Sequence, residues 1–270
     1  MASIPVPASA RPSAGLAAST FGIARRGVRK FLRTPQLVVV GTVQSALFLL
    51  IFRYVFGGAI GARGLDYVDF LVPGFITTGL LFAGMGAAAG MAEDLEQGFV
   101  DRLRSLPIPR SAVLAGRAVA DTALLVWSLA ITSAVGFAVG FRLHGGLADA
   151  LAAFGLLLVF GFAFEWMFLT LGLFAGTAQA AQGLALMVFP LTFVSSAYVP
   201  VSSMPGWMQA FAEHQPVTVM VDAVRVLTQG RAAELLLGHG AEFYVVRSLA
   251  WSAAILAVFV PLAVAGYRRD

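Results

Sequence analysis

Three ionisable side chains sit in stretches otherwise too apolar to hold them. They are Glu165 within FGFAFEWMFL, and Arg117 with Asp121 within GRAVADTALL. A charge at membrane depth is expensive, so each is a functional candidate by default. Arg117 and Asp121 are four residues apart and share one helical face. A pair that neutralises itself is the simpler account of them than contact with a substrate. For Glu165 two readings stand open. It could face a path through the membrane and contact a cationic drug or a lipid headgroup. It could equally be a neutral, protonated structural residue bonded to another span. Other chemistry finds little support. The chain has no cysteine, and His144, His214 and His239 lie far apart in loop-like sequence, so no metal site is expected. Neither paired aspartates nor a Ser–His arrangement occurs within an apolar span, so no intramembrane catalytic set is predicted.

The elements that must position these residues follow from composition. Of 270 residues, 59% are hydrophobic and 12% charged, with a mean hydropathy of +0.85. Soluble domains hold about 25% charged residues, so too little polar surface remains for water to be the solvent. The formal charge of +4 lies between apolar runs, where it acts as an orientation signal, and nucleic-acid binding is not expected. The apolar runs predict an all-α polytopic membrane protein with six transmembrane helices, at about 36–57, 69–91, 111–140, 149–175, 179–199 and 244–266. Glu165 falls near the middle of span 4, and Arg117 and Asp121 near the cytoplasmic end of span 3. Pro190 predicts a kink in span 5. The pairs Gly86–Gly90, Gly136–Gly140 and Gly172–Gly176 permit close helix approach.

Residues 1–15 are rich in Pro, Ser and Ala and are expected to be disordered. Residues 16–34 separate into two faces. Phe21, Ala24, Val28, Phe31 and Leu32 lie on one, and Arg25, Arg26, Arg29, Lys30 and Arg33 on the other. That pattern predicts an amphipathic helix lying in the membrane surface, and 35–270 then form one transmembrane domain. Basic residues gather in the amino-terminal arm, in the link between spans 2 and 3 (Arg102, Arg104, Arg110) and in the tail (Arg268, Arg269). Arg63, Arg142, Arg225 and Arg231 are assigned to the opposite side, and Arg53 is expected to snorkel at the outer end of span 1. Both termini are therefore expected to be cytoplasmic.

Two non-spanning segments remain. In EDLEQGFVDRLRSLPIPR (93–110), Leu95, Phe99, Leu103 and Leu106 share a stripe, and Pro107 and Pro109 stop the helix. A short amphipathic helix of mixed charge suits a protein partner's groove. In 200–243, MPGWMQAFAEHQP predicts a short helix with Trp207 and Phe211 on its apolar side. VTVMVDAVRVLTQG predicts a second, between Pro216 and Gly230. Both are too short to cross, which suggests a re-entrant or interfacial outer hairpin.

GFVDRLRSLPIPRSAVLAGRAVAD and FPLTFVSSAYVPVSSMPGWMQAFAEHQPVTVMVDAVR resemble the two signatures of ABC-2-type transporter permeases, nearest to the daunorubicin-resistance-type drug exporters. Ser196, Tyr198 and Gln215 stand where that family more often has Asn, Phe and Asn. The resemblance implies the ABC-2 exporter fold and a permease subunit that moves a hydrophobic drug, antibiotic or lipid-like molecule. A polysaccharide or lipid-linked glycan is the alternative cargo within the family, and a secondary transporter the alternative outside it. It further implies a separate ATPase subunit in two copies carrying ATP and magnesium, and a second permease copy or related permease. The chain itself has no G-x-x-x-x-G-K-[ST] loop. On this reading 94–106 is the coupling helix, with Leu95, Phe99 and Leu103 as apolar anchor and Asp101, Arg102 and Arg104 as polar rim. The 16–34 helix would touch the same ATPase.

Overall fold

A computed structural model describes residues 20–22, 24–25, 27–29, 47–57, 65–98 and 110–269. Every regular element among them is helical. Among the described residues four helices are long and apolar enough to cross a membrane: α1 (Tyr67–Glu96), α2 (Arg110–Val139), α3 (Leu147–Phe174) and α9 (Ala241–Arg269). At 1.5 Å per residue each runs to about 40 Å or more, past the roughly 30 Å hydrocarbon core. Inside a bilayer a backbone must satisfy its own hydrogen bonds, which a helix of this length does. The chain is thus a multi-pass membrane protein.

Helix α3 is the centre of the bundle, packed by α9, α1, α2 and α7 (Pro216–Gln229). Its Phe160, Phe168 and Leu157 bury against Leu71, Leu80 and Leu81 of α1 and Leu125 and Leu129 of α2. The α1–α3 approach is close because Gly172 lies against the Ala88 carbonyl and the Met91 side chain, where a Cβ has no room. A second apolar layer joins Met91, Leu114, Trp166, Leu169 and Tyr267 at the end where α1 stops and α2 starts. Of α1's most apolar stretch 72% is buried, against 22% for those of α2 and α9. Helix α1 is therefore an inner element, while α2 and α9 turn most of their surface outward.

The expected fifth span takes a different form. Residues 178–193 make two short helices, α4 (Ala178–Leu186) and α5 (Phe189–Phe193), separated by a turn at Met187 and Val188. Pro190 stands in the first turn of α5, where it has no N–H to give the Leu186 carbonyl, so α4 ends there. Even helical throughout, 178–193 would reach only about 24 Å, and from Val194 the chain leaves helical geometry. Of the expected first span, residues 47–57 are described. They are helical from 47 and pass into a π-helical turn at Phe52–Phe56. Within 16–34, the described residues between 20 and 29 are helical. Ala24 is buried there and Gly27 lies against Ala120 of α2, but Phe21 is exposed. The 1–15 segment lies outside the described residues.

Helix α1 continues to Glu96 before a turn at Gln97 and Gly98, so residues 94–96 belong to it rather than to a separate coupling helix. Between α5 and α9 stand three short helices: α6 (Gly206–His214), α7 and α8 (Arg231–Leu237). The Gln215 side chain caps α7, its Oε1 accepting from Val217 N at 2.9 Å, with Pro216 in the first turn. Gly230, at φ +58°, ends α7, as the sequence punctuation predicts.

Candidate functional site

At the end of the bundle where α1 stops, four ionisable residues from three helices meet. Arg117 of α2 donates from Nε to Asp121 Oδ2 at 2.8 Å, the pairing that i,i+4 spacing allows. Its Nη1 pairs with Asp94 in the last turn of α1 and donates to the Gly90 carbonyl at 3.4 Å. Glu165 of α3 lies near enough to feel the charges of Arg117 and Asp121. It is 1% exposed, and its Oε1 has no hydrogen-bond partner. Gly84 of α1 makes room, since a Cβ there would press on the Phe168 ring and approach Glu165 Oε2. The sequence links Arg117 to Asp121. The structure adds Asp94, from 23 residues earlier, and brings Glu165 against the same group.

A second polar centre lies at the opposite end of the bundle, and Arg225 organises it. This side chain is 0% exposed. It donates to Asp222 Oδ1 at 2.6 Å, to the Ser196 carbonyl at 2.9 Å and twice to the Phe70 carbonyl at 2.9 and 3.2 Å. Its guanidinium carbon sits 3.8 Å from the centre of the Phe70 ring. Burial pushes the guanidinium down to about 10, so it stays charged at neutral pH. Asp222 accepts in turn from Ser196 Oγ at 2.7 Å. Thr218 Oγ1 accepts from Ser196 N, and Tyr198 donates to Thr78 Oγ1. The irregular 194–198 segment is thus satisfied by α7 and α1, as a buried non-helical backbone must be. Gly74 allows the contact, because a Cβ would strike the Ala197 carbonyl. Beside it the α2–α3 loop is clasped to α7. His144 N and Gly145 N donate to the Thr228 carbonyl, His144 Nδ1 meets Gln229 Oε1, and Asp69 accepts from Arg142 N.

By sequence Arg225 counts among the charges of the opposite side, on a short predicted helix; in the structure it is on that helix but fully buried. Its signal was legible as Asp222 three residues earlier on an apolar helix. Of the expected coupling residues, Leu95 is in the last turn of α1, half-buried against the Met91–Tyr267 layer. Phe99, Asp101, Arg102, Leu103 and Arg104 lie outside the described residues. Among the described residues no three His, Asp or Glu gather where they could hold a metal. Trp207 and Phe211, 80% and 54% exposed, project from α6 away from the protein.

Comparison with known proteins places this arrangement. The profile of the ABC-2 type transporter family matches residues 19–228. The chain is 33% identical over 245 residues to the "Daunorubicin resistance ABC transporter permease protein DrrB1" of Streptomyces coeruleorubidus, covering 90% of this chain and 84% of that one. It is 27% identical over 267 residues to the "Probable doxorubicin resistance ABC transporter permease protein DrrC" of Mycobacterium tuberculosis, covering 98% and 93%.

Proposed function

The chain belongs to the ABC-2 type transporter family, and on that premise we propose that it is the membrane permease subunit of an ABC exporter. It moves a hydrophobic drug, antibiotic or lipid-like compound out of the cell, driven by ATP hydrolysed on a separate chain. The observation that carries this reading is the end-to-end similarity to two permeases named for daunorubicin and doxorubicin resistance. The composition agrees with such a cargo, since 59% of the chain is hydrophobic.

In this reading both termini are cytoplasmic, and the α1–α2 connection faces the ATPase. Two ATPase copies, carrying ATP and magnesium, act on two permeases. The α6–α8 hairpin lies at the outer surface, where Trp207 and Phe211 sit among lipid headgroups. Closure of the ATPase pair moves the 97–109 segment. Because α1 runs up to the start of that segment and its Asp94 holds Arg117, the push reaches α2 directly. Purification of the tagged chain from its native membrane tests the partnership. An ATPase bearing a phosphate-binding loop should co-purify, and its absence would count against the assignment.

A further inference from the structure

We propose that Arg247, seated on the Phe243 ring where α9 enters the bilayer, binds the phosphate group of a membrane phospholipid. The depth of the residue follows from the sequence. Between Arg247 and Arg268 runs an uncharged stretch, Ser248–Tyr267. At 1.5 Å per residue it measures about 30 Å, the thickness of a hydrocarbon core. Arg247 therefore stands at the headgroup level of one leaflet when Arg268 stands at that of the other. A helical side chain leans toward the amino terminus of its helix, so the guanidinium rises further toward the surface. Its central carbon lies 4.3 Å from the centre of the Phe243 ring, one turn earlier.

That ring is itself held in place. His239 stacks on it at 4.0 Å and 14°, and Tyr244 meets it edge-on at 5.1 Å. The Tyr244 hydroxyl in turn donates to the Leu237 carbonyl at 2.9 Å. The cation thus has a prepared seat but no anion. Phe243 offers no oxygen, and among the described residues nothing accepts a hydrogen bond from Arg247 or forms an ion pair with it. Arg117, Arg142 and Arg225, by contrast, each donate to carboxylates or carbonyls. The acidic residues of that end do not serve Arg247. Glu242 lies about 140° round α9 from it, Glu234 lies toward Gly240, and Glu213 is exposed on α6. Asp222 is engaged by Arg225 and Ser196. A guanidinium presents five donors in a fork that matches phosphate oxygens two at a time, and phosphates of lipids are the acceptors met at this depth. Beside it Val246, Leu249 and Trp251 are exposed, an apolar flank for the acyl chains of the same lipid.

Native mass spectrometry of the full chain in detergent tests the site with three probes: phosphatidylglycerol, diacylglycerol with the same chains, and inorganic phosphate. The first phosphatidylglycerol should bind more tightly than diacylglycerol. Arg247→Gln should weaken it about tenfold, the scale of a lost charged hydrogen bond, and Arg247→Lys should recover only part, having charge without the fork. Arg231→Gln, at an exposed arginine of α8, should leave it unchanged. Unaltered binding in Arg247→Gln would overturn the proposal, as would an equal loss in Arg231→Gln or diacylglycerol binding as tightly. Displacement of the lipid by excess inorganic phosphate would overturn the phospholipid as ligand in favour of a soluble anion. The measurement needs neither ATPase nor cargo, so its failure and failure of the export reading are separable.

Discussion

A guanidinium without solvent contact must find all its partners in the protein, and Arg225 does. Two of its carbonyl acceptors lie in segments distant in sequence, Phe70 of α1 and Ser196 of the buried loop. The residue therefore fastens three pieces of chain together. Removing it leaves Asp222 as an uncompensated buried charge, which costs about 3–5 kcal/mol in comparable cases. Arg225→Ala should lower stability by that order in denaturant unfolding of the detergent-solubilised protein. Adding Asp222→Ala should recover part of the loss but not all, because the Ser196 carbonyl and hydroxyl then lose their Arg225 and Asp222 partners. At this scale the sequence was partly legible. Arg117–Asp121 and Glu165 stood out because apolar surroundings make a charge conspicuous. Asp94 did not, because its partner is brought near only by the approach of α1 to α2.

At the scale of elements, the long helices were readable from apolar length alone, since few other structures satisfy so long an apolar backbone in lipid. Helices α1, α2, α3 and α9 each begin within a few residues of the expected bounds. The fifth apolar run, 179–199, looks long enough to cross as one helix, but the structure breaks it into two. Its continuity fails at Pro190, and the polar residues Ser195 and Ser196 then serve a folded loop instead of a helix. The extension of α1 through Glu96 was also hidden, since a membrane span and an amphipathic segment can share one helix without a sequence break. Gly172 marks a close contact of α3 with the α1 backbone. Gly172→Val should force α3 from α1 and cost about 1–3 kcal/mol by overpacking, visible as a lower thermal midpoint in detergent. In the 97–109 connection, Phe99→Asp should leave membrane insertion intact and abolish substrate-stimulated ATP hydrolysis in the reconstituted complex. Normal stimulation would remove Phe99 from the coupling surface.

Across the whole molecule, two polar centres occupy opposite ends of one helix bundle. Arg225 locks the α7 end with a partner for each of its three nitrogens. The Arg117 group at the other end is left with an excess of carboxylates and an orphaned Glu165 oxygen. Identity as an ABC-2 permease was legible from two long motifs, 98–121 and 189–225, that follow one another in the family's order. The cargo was not, since the spans present many apolar side chains and few polar ones to discriminate among ligands. The most direct test places the chain and its ATPase together in inside-out membrane vesicles and follows doxorubicin uptake. Uptake should require ATP, fail when either chain is omitted, and persist when an ionophore collapses the proton gradient. Uptake driven by the gradient without ATP, or by this chain alone, would contradict the account.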